Sequence, residues 1–371
     1  MSVLNLRPRK LGSFEEYTIA LSRTLTEQGG QSVIVFKDRP PDSLRPQYLE
    51  AGATLETKPF APFGLESAGT LRALLRRHRP DVVHLHFVNL LSLDVVAAAL
   101  NRGVRVVFSE HYSGTLKERT MLNWWALRAR NRAFSSGADR FIAPSNYVKA
   151  RLVQEGVHRK KITTIHNGVN LEKFRDTSVT VDLRASYGLG ARTVIVLSIS
   201  QLIPEKGIGV LIDAASLTLK QGHDVAFIHV GDGRCAAEYR AKIEHQGIVN
   251  RFIFAGLKSL PEIASILRQS DIFALPCTWG EAFSLVILEA LAAGKPVIVT
   301  GVGGNVEAVE DGRNGLVVPP GDAGALAAAI TALYDSSDRR QAMARESVMR
   351  SSYFSLKRWV DQTIDVYRQL L

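Results

Sequence analysis

Short runs of consecutive apolar residues alternate with longer amphipathic stretches along nearly the whole chain. In the first half, the runs that indicate buried strands are QSVIVF, DVVHLHF, VRVVFSE, RFIAPS and KITTIHNG. In the second half they are TVIVLSIS, VAFIHVG, RFIFAG, DIFALPC, PVIVTG and GLVVPPG. Continuous Val and Ile runs separated by helices are typical of parallel sheets that are covered by helices on both faces. The pattern therefore predicts an α/β protein.

The amphipathic stretches divide the chain into two strand–helix series. Clear helical spacing is found in GSFEEYTIALSRTLTEQGG, AGTLRALLRRHRP and IGVLIDAASLTLKQGH. Apolar periodicity stops within NLEKFRDTSVTVDLRASYGLGAR, between the two series. We therefore predict two Rossmann-like parallel-sheet domains, residues 1–178 and 179–350, that face each other across a cleft. Residues 351–371 lie outside both series and are predicted to form a helix that packs back on the first domain.

Length and composition fit a two-domain globular protein. The chain has 371 residues, of which 46% are hydrophobic and 22% are charged, enough for a substantial core. No apolar run is long enough to span a bilayer, and the opening MSVLNLRPRK does not resemble a signal peptide. The two cysteines, Cys235 and Cys277, fit neither a disulfide framework nor a zinc spacing. We therefore expect a protein of the reducing cytoplasm.

Positive charge is concentrated in the first half of the chain. The formal net charge is +10, with +12 in residues 1–175 and −2 in residues 176–371. A patch of this kind suggests an anionic partner such as nucleic acid, a membrane surface or a phosphorylated substrate. No nucleic-acid recognition module accompanies the charge, so nucleic acid is disfavoured among the three.

Residues 114–140 combine arginines with large aromatic side chains. The residues concerned are Arg119, Trp124, Trp125, Arg128, Arg130, Arg132 and Phe134. A basic amphipathic helix with tryptophans suits an anionic bilayer surface, which would make the protein peripheral on the inner face of the membrane. An ordinary helix with core tryptophans and solvated arginines explains the pattern equally well, and the sequence leaves both interpretations open.

One acidic residue interrupts an apolar helix. The stretch SLVILEALAAG predicts a helix that begins near Ser284 and ends at Gly294. Glu289 lies inside it, with aliphatic neighbours three and four residues away on either side. A buried carboxylate is costly unless it is hydrogen-bonded or paired. Backbone groups or an arginine could satisfy this one, and so could two adjacent hydroxyl groups of a ligand.

Other polar and glycine-rich elements follow strands of the second domain. Lys206 lies in a Pro-Glu-Lys-Gly turn after the first strand, where its ammonium group could meet a phosphate. Gly231 and Gly256 follow two further strands, and glycine permits the close approach of a ligand. Glu281 follows a fourth strand, and the start of the next helix, residues 283–285, offers backbone N–H groups to an anion. Because ligands bind beyond the carboxyl ends of parallel strands, these elements predict one ligand site.

These motifs, in this order, resemble the retaining glycosyltransferases of family 4, which have the GT-B fold. In the second half the resemblance rests on IPEKG, HVGDG, RFIFAG, LPCTWGEAFSLVILEALAAGKPVI and GGNVEAVEDGRNGLVVPPGD. In the first half it rests on KLGSFEEYTIALSRTL, RPDVVHLHF, VVFSEH, FIAPSNYVKARL and TTIHNGVNLEKF. It covers nearly the whole chain, and its specific part is the double-glutamate motif together with the Lys-Gly turn. It implies an acceptor-side first domain and a second domain that binds a nucleotide-sugar donor.

The resemblance implies a role for each matching residue. Glu289 would bind the ribose hydroxyls of the donor, and Lys206 would neutralise its diphosphate. The catalytic candidates are Glu281, which would contact hydroxyls of the transferred sugar, and His111, which would lie near the reacting carbon. A lone histidine after a strand is otherwise more often a core residue. The remaining donor-binding positions implied are Gly12, Gln201, Gly231, Leu257, Phe283, Ser284 and Leu285.

The resemblance also implies a mechanism and partners. The family transfers sugar with retention at the anomeric carbon, so the protein must stabilise a departing diphosphate and an oxocarbenium-like centre. The sequence contains no Asp-x-Asp pair, the usual metal–diphosphate clamp of the other large glycosyltransferase fold. We expect Lys206 and a helix N-terminus to replace a divalent cation, with no metal and no cofactor. The expected substrates are a UDP- or GDP-sugar and a glycan or lipid-linked acceptor, in bacterial cell-surface polysaccharide synthesis.

Gln201 departs from the family pattern, which has an arginine at this position. A glutamine can hydrogen-bond a phosphate but brings no charge. The departure motivates a second hypothesis, a non-catalytic GT-B partner or scaffold of a polysaccharide-synthesis complex, against which the retained Glu281, Glu289, Lys206 and His111 argue. A nicotinamide-dependent oxidoreductase is disfavoured because GVGGN lies late in the second domain rather than after its first strand.

Overall fold

Two parallel sheets, each in its own unit, form the framework of the molecule. The structure is a computed structural model that describes residues 1–5, 12–59, 65–88, 92–101, 103–113, 131–133, 135–174, 178 and 181–371. One unit comprises Met1–Gly168 with Leu356–Leu371, and the other comprises Val169–Ser355. The predicted α/β class with two Rossmann-like parallel-sheet domains is confirmed.

The first unit has a seven-stranded sheet in the order β3-β2-β1-β4-β5-β6-β7. Its strands are β1 (Ser2–Leu4), β2 (Ser32–Phe36), β3 (Ala53–Thr57), β4 (Val82–His86), β5 (Arg105–Ser109), β6 (Arg140–Ala143) and β7 (Ile162–Thr164). The helices of this unit that precede the second unit are α1 (Ser13–Glu27), α2 (Arg45–Glu50), α3 (Leu65–His78), α4 (Leu93–Ala99) and α5 (Asn146–Gln154). All five residues of β4 are buried, which explains their lack of polar–apolar alternation. Since side chains alternate along a strand, His84 and His86 share one face of the sheet.

The second unit has a six-stranded sheet in the order β10-β9-β8-β11-β12-β13. Its strands are β8 (Val194–Ile199), β9 (Val225–Val230), β10 (Phe252–Gly256), β11 (Ile272–Leu275), β12 (Val297–Thr300) and β13 (Gly315–Val318). Its helices are α6 (Leu183–Ser186), α7 (Ile208–Lys220), α8 (Ala236–His245), α9 (Leu260–Gln269), α10 (Leu285–Ala292), α11 (Ala323–Tyr334) and α12 (Ser337–Ser351). Alternate residues of β8 enter two separate apolar cores: Val196 packs in one and Leu197 in the other. The sheet is therefore covered on both faces, as the Val/Ile-rich strands predict.

The last helix, α13 (Leu356–Arg368), packs on α1 of the first unit. The rings of Tyr17 and Trp359 stack with centroids 3.8 Å apart. The Tyr17 hydroxyl donates a hydrogen bond of 3.0 Å to Oγ1 of Thr363. The chain thus returns to its first unit after completing the second.

The two crossings between units differ from the sequence prediction, which placed them after residues 178 and 350. Val169 and Phe174 pack in a core of the second unit, and the Val169 N–H donates to the Phe354 carbonyl at 2.9 Å. The crossings therefore lie between Gly168 and Val169 and between Ser355 and Leu356. Residues 169–174 lack helical or strand periodicity in the sequence, which is why their place in this core was not predicted.

The membrane interpretation of the basic segment remains a prediction. Among the described residues, no helix is long and apolar enough to cross a bilayer. Arg132 is described and is exposed. The other residues of the pattern, Arg119, Trp124, Trp125, Arg128, Arg130 and Phe134, lie outside the described residues.

Candidate functional site

The polar elements of the second unit lie where its central strands end. Strands β8 and β11 are neighbours, so the loops that leave their carboxyl ends start side by side. The loop after β8 contains the 3-10 turn Pro204–Lys206 and leads into α7, and the loop after β11 leads into α10. The carboxyl edge of a parallel sheet is where ligands bind in such folds.

These two loops are held backbone against backbone. Gly207 has a φ of +70°, and a Cβ atom added to it would lie 1.8 Å from the carbonyl oxygen of Pro276. Glycine is required here both by the left-handed conformation and by this close approach. The Thr278 N–H donates to the Glu205 carbonyl at 3.0 Å, which fastens the same two loops. The Lys-Gly turn is therefore fixed relative to the residues that lead to Glu281.

Lys206 and Glu281, predicted to bind different parts of a ligand, form an ion pair with each other. The Lys206 Nζ lies 2.5 Å from Oε1 of Glu281. The indole Nε1–H of Trp279 donates to the same carboxylate oxygen at 3.2 Å. Glu281 is buried, whereas the side chains of Lys206 and Trp279 are partly exposed. The arrangement places an ammonium group and a carboxylate together at the carboxyl edge of the sheet.

The loop after β9 presses on the loop after β8. Gly231 has a φ of +140°, and an added Cβ atom would lie 1.9 Å from the Ser200 carbonyl oxygen. The buried His229 side chain lies 3.1 Å from that oxygen through Nε2, and a carbonyl can only accept, so Nε2 carries the proton. This contact fixes the backbone next to Gln201, which is exposed. Leu257 directly follows β10, the strand next to β9, and is 72% exposed.

The start of α10 corrects one expectation. The Ser284 N–H, predicted to be free for an anion, donates to Oδ1 of Asn305 at 2.9 Å. Asn305 is buried and follows β12, and the neighbouring Gly304 N–H donates to the Glu281 carbonyl at 2.8 Å. Phe283 is buried among the core residues of the unit, and Leu285 begins the helix. The prediction of a free Ser284 amide is therefore wrong, because the next loop already supplies its acceptor.

Glu289 is buried on α10 and has a basic neighbour from its own unit. The 3-10 helix Leu171–Phe174 packs on α10 and carries Lys173. Partial burial lowers the pKa of Lys173, and the charge of Glu289 acts in the opposite direction. The charge of Glu289 therefore acts on Lys173, a basic neighbour that the sequence analysis did not name.

In the first unit, the half-buried His111 belongs to a histidine cluster in which His84 and His86 are buried. Its Nε2 lies 3.1 Å from Nδ1 of His86, and its ring stacks on Phe87 with centroids 4.3 Å apart. His84 lies 2.6 Å from the Tyr367 hydroxyl through Nδ1 and 2.7 Å from Oγ of Ser109 through Nε2.

The cluster is uncharged at neutral pH. Burial lowers the pKa of His84 and His86 well below the ordinary value, and the neighbouring imidazoles add to this effect. Burial also lowers the pKa of His111 to about 3. His111 can therefore offer one neutral donor and one acceptor, but no positive charge.

Gly12 precedes α1 in the first unit, and its carbonyl accepts the Glu16 N–H at 3.0 Å. A Cβ atom at Gly12 would meet Oε2 of Glu15 at 2.7 Å. Burial raises the pKa of Glu15, and the nearby backbone N–H groups of Glu15 and Gly12 oppose that rise. This acid therefore lies over the helix N-terminus, the place that an anion would take.

The sequence analysis did not name three residues that contact predicted site residues, Trp279, Asn305 and His86, nor Lys173, on which the charge of Glu289 acts. Trp279 stands two residues before Glu281, so its polar ring nitrogen was a usable signal. Asn305, Lys173 and His86 lie in motifs that were noticed, but each acts on a residue distant in sequence. Their roles depend on which loops are neighbours, and that requires the strand order.

Comparisons with known proteins agree with this architecture. Residues 181–348 match the model of the family described as glycosyl transferases group 1, and residues 14–173 match that of glycosyltransferase family 4. The chain is 30% identical over 280 residues to the GDP-mannose-dependent alpha-(1-6)-phosphatidylinositol monomannoside mannosyltransferase of Mycobacterium tuberculosis, covering 74% of this chain and 71% of that protein.

Two solved structures are similar over the whole chain. A glycosyltransferase from Rickettsia africae has a TM-score of 0.83 at 20% identity, covering 100% of this chain and 98% of that one. HepE from Anabaena, in complex with UDP-glucose, has a TM-score of 0.80 at 21% identity, with both chains fully covered. At these identities the likeness concerns the fold.

Proposed function

Because the chain belongs to the family 4 glycosyltransferases with the GT-B fold and uses a nucleotide sugar, we propose that it transfers the sugar with retention at the anomeric carbon. The acceptor proposed is a glycan or a lipid-linked glycan of the bacterial cell surface. The observation that carries the proposal is the Lys206–Glu281 pair at the carboxyl edge of the second sheet, on the same unit as buried Glu289. Support for the substrate classes comes from the UDP-glucose bound to HepE and from the GDP-mannose and phosphatidylinositol monomannoside named for the mycobacterial relative.

Each polar group then has a task for which its chemistry is suited. The Lys206 ammonium would neutralise the diphosphate, and the Glu281 carboxylate would accept hydrogen bonds from the transferred sugar. Glu289 would accept hydrogen bonds from both ribose hydroxyls, and the charge of Lys173 would offset the cost of burying this carboxylate. The exposed Leu257 would offer an apolar surface to the donor. His111, uncharged at neutral pH, would act as a catalytic residue through hydrogen bonding rather than charge.

We further propose that transfer needs no metal ion or other cofactor. Lys206 supplies a positive charge that could offset the leaving diphosphate, which is the task a divalent cation would otherwise perform. Activity should persist in excess EDTA. Abolition by EDTA that magnesium restores would contradict this part of the proposal.

A thermal-shift panel tests the donor site. UDP, GDP, ADP and dTDP, each alone and with candidate sugars attached, should raise the unfolding temperature for one nucleotide family, since a ligand that binds the folded state stabilises it by mass action. Failure of every nucleotide and nucleotide sugar to bind or to be hydrolysed would refute the proposal.

The scaffold hypothesis is favoured by one observation, the uncharged and exposed Gln201 in place of the family arginine. Glu289→Ala separates the two functions. In an enzyme this substitution should abolish transfer, whereas a scaffold should retain assembly with its partners and show no transfer to lose.

The basic first half motivates a proposed attachment to anionic membranes. Co-sedimentation should be stronger with phosphatidylglycerol vesicles than with phosphatidylcholine vesicles, and salt should weaken it, because exposed charges are screened. Equal sedimentation with both lipids would exclude an electrostatic attachment.

A further inference from the structure

Trp279 contacts the same oxygen of Glu281 that Lys206 contacts. The two donors, Lys206 Nζ and Trp279 Nε1, lie 2.5 Å and 3.2 Å from Oε1 of Glu281. The Lys206 donor is a charged ammonium group at the end of a flexible side chain. The Trp279 donor is neutral and belongs to a bulky, partly buried ring. The two contacts therefore respond differently when a charged ligand arrives.

In the proposed function the diphosphate of the donor binds Lys206, so it would compete with Glu281 for the ammonium group. The diphosphate carries more negative charge than one carboxylate, so Lys206 turns toward it and its hold on Glu281 weakens. The carboxylate is then left beside a group of like charge, which pushes it away. The indole N–H of Trp279 has no net charge and is not drawn to the phosphate in this way.

The backbone around Glu281 is already fixed. Its carbonyl accepts the Gly304 N–H at 2.8 Å, and Thr278 donates to the Glu205 carbonyl at 3.0 Å. These contacts restrain the backbone on both sides of Glu281, and Trp279 restrains its side chain.

We propose that Trp279 is a positioning residue that keeps the Glu281 carboxylate in place when the diphosphate of the donor draws Lys206 away. The inference rests on the proposed function. It adds a specificity role: Trp279 contributes to recognition of the sugar through Glu281 and not to recognition of the nucleotide.

The first test uses the ligand-free protein. The Trp279 indole N–H gives one resonance in a 1H–15N spectrum, assigned by its absence in Trp279→Phe. In Lys206→Met, this resonance should keep its downfield hydrogen-bonded shift, because Trp279 holds Glu281 without help from Lys206. A shift to the position of a solvent-exposed indole would overturn the proposal.

The second test compares UDP with UDP-glucose and GDP with GDP-mannose by calorimetric titration. In Trp279→Phe, the Kd of the nucleoside diphosphate should stay within about twofold, and the Kd of the nucleotide sugar should rise about tenfold, the order expected for losing a hydrogen bond to a charged group. Trp279→His retains a ring N–H and should recover part of the loss. Trp359→Phe, in the first unit, is the matched control and should change neither constant.

The outcomes distinguish the inference from the function on which it rests. Equal weakening of diphosphate and nucleotide sugar, or no change in either, would refute the positioning role while leaving the donor site intact. A wild-type protein that binds neither pair would refute the donor site itself, and the inference with it. If Trp279→Phe does not fold, the absence of the indole resonance in Trp279→His assigns it instead, and the spectrum of Lys206→Met still decides.

Discussion

Replacing Gly207 by alanine would drive a methyl group into the backbone of the neighbouring loop. The added Cβ would lie 1.8 Å from the Pro276 carbonyl oxygen, while real Cβ contacts stay above about 3 Å, so the two loops must separate by about 1.2 Å. An alanine at a φ of +70° costs about 1 kcal/mol more than a glycine. Separating the loops also strains the Thr278–Glu205 hydrogen bond, worth about 1 kcal/mol. With the steric cost included, we expect the second unit to lose about 3 kcal/mol of unfolding free energy.

Differential scanning calorimetry of the full chain measures this loss. For a unit of about 190 residues, 3 kcal/mol corresponds to a fall of about 7 °C in its Tm. Gly222→Ala is a matched control in the same unit, since Gly222 has a φ of +82° and no atom of the described residues lies within 4 Å of an added Cβ. The control carries the conformational strain without the clash and should lower the Tm by about 2–3 °C.

The same pair of variants tests the link to ligand binding. Gly207→Ala moves the turn that carries Lys206 and should weaken nucleotide-sugar binding, whereas Gly222→Ala should not. Equal Tm shifts in the two variants would show that the loops accommodate the methyl group and that their contact does not fix Lys206. The reasoning on the site geometry would then fail.

Three further predictions concern ionisable groups that are wholly or partly buried. Glu289→Gln should change the free energy of unfolding by no more than about 1 kcal/mol, because Lys173 is partly exposed to water. It should weaken nucleotide-sugar binding at least about tenfold. Unchanged binding in titration calorimetry would limit the role of Glu289 to its charge interaction with Lys173. Asp94 is 1% exposed and lies 3.0 Å from Lys58. Lys58→Met leaves this carboxylate buried without its cation and should lower the free energy of unfolding in urea by about 3–5 kcal/mol. The double variant with Asp94→Leu should recover most of that loss, and no recovery would contradict the argument. His111 has a pKa of about 3 in the folded protein and about 6.5 in the unfolded chain, so below pH 6.5 the unfolded state binds more protons. The free energy of unfolding should therefore fall as the pH drops below 6.5, by up to about 1.4 kcal/mol per pH unit for this residue. His111→Gln should flatten the profile of Tm against pH, and an unchanged slope would contradict the assignment.

The strands and helix ends were predictable because their signals are local. Ser284 is the N-cap of α10, and Gly294 follows the helix with a φ of +66°, as the sequence pattern indicates. The candidate residues of the second unit also lie after strands, where the parallel-sheet rule places them.

The partners of those residues were not predictable, because they depend on strand order. The Lys206–Glu281 pair joins residues 75 apart, and the acceptor of the Ser284 amide lies 21 residues away in another loop. The histidine cluster forms because β4 and β5 are neighbours, which brings His86 and His111 together. Alternation along one strand places two histidines on a face, but only the sheet topology adds the third.

The return of α13 to the first unit sets the order in which this chain can fold during synthesis. The second unit is one continuous segment and has all its residues before the last helix is translated. Most of the first unit precedes the second, yet Thr363 and Tyr367, the hydrogen-bond partners of Tyr17 and His84, are translated only after it. Until the ribosome has produced α13, the faces of α1 and β4 that it covers remain open to water. The first unit is thus completed after the second, although most of it is translated earlier. Its surface is exposed for longer, which makes it the part of the nascent chain with the greater need of a chaperone.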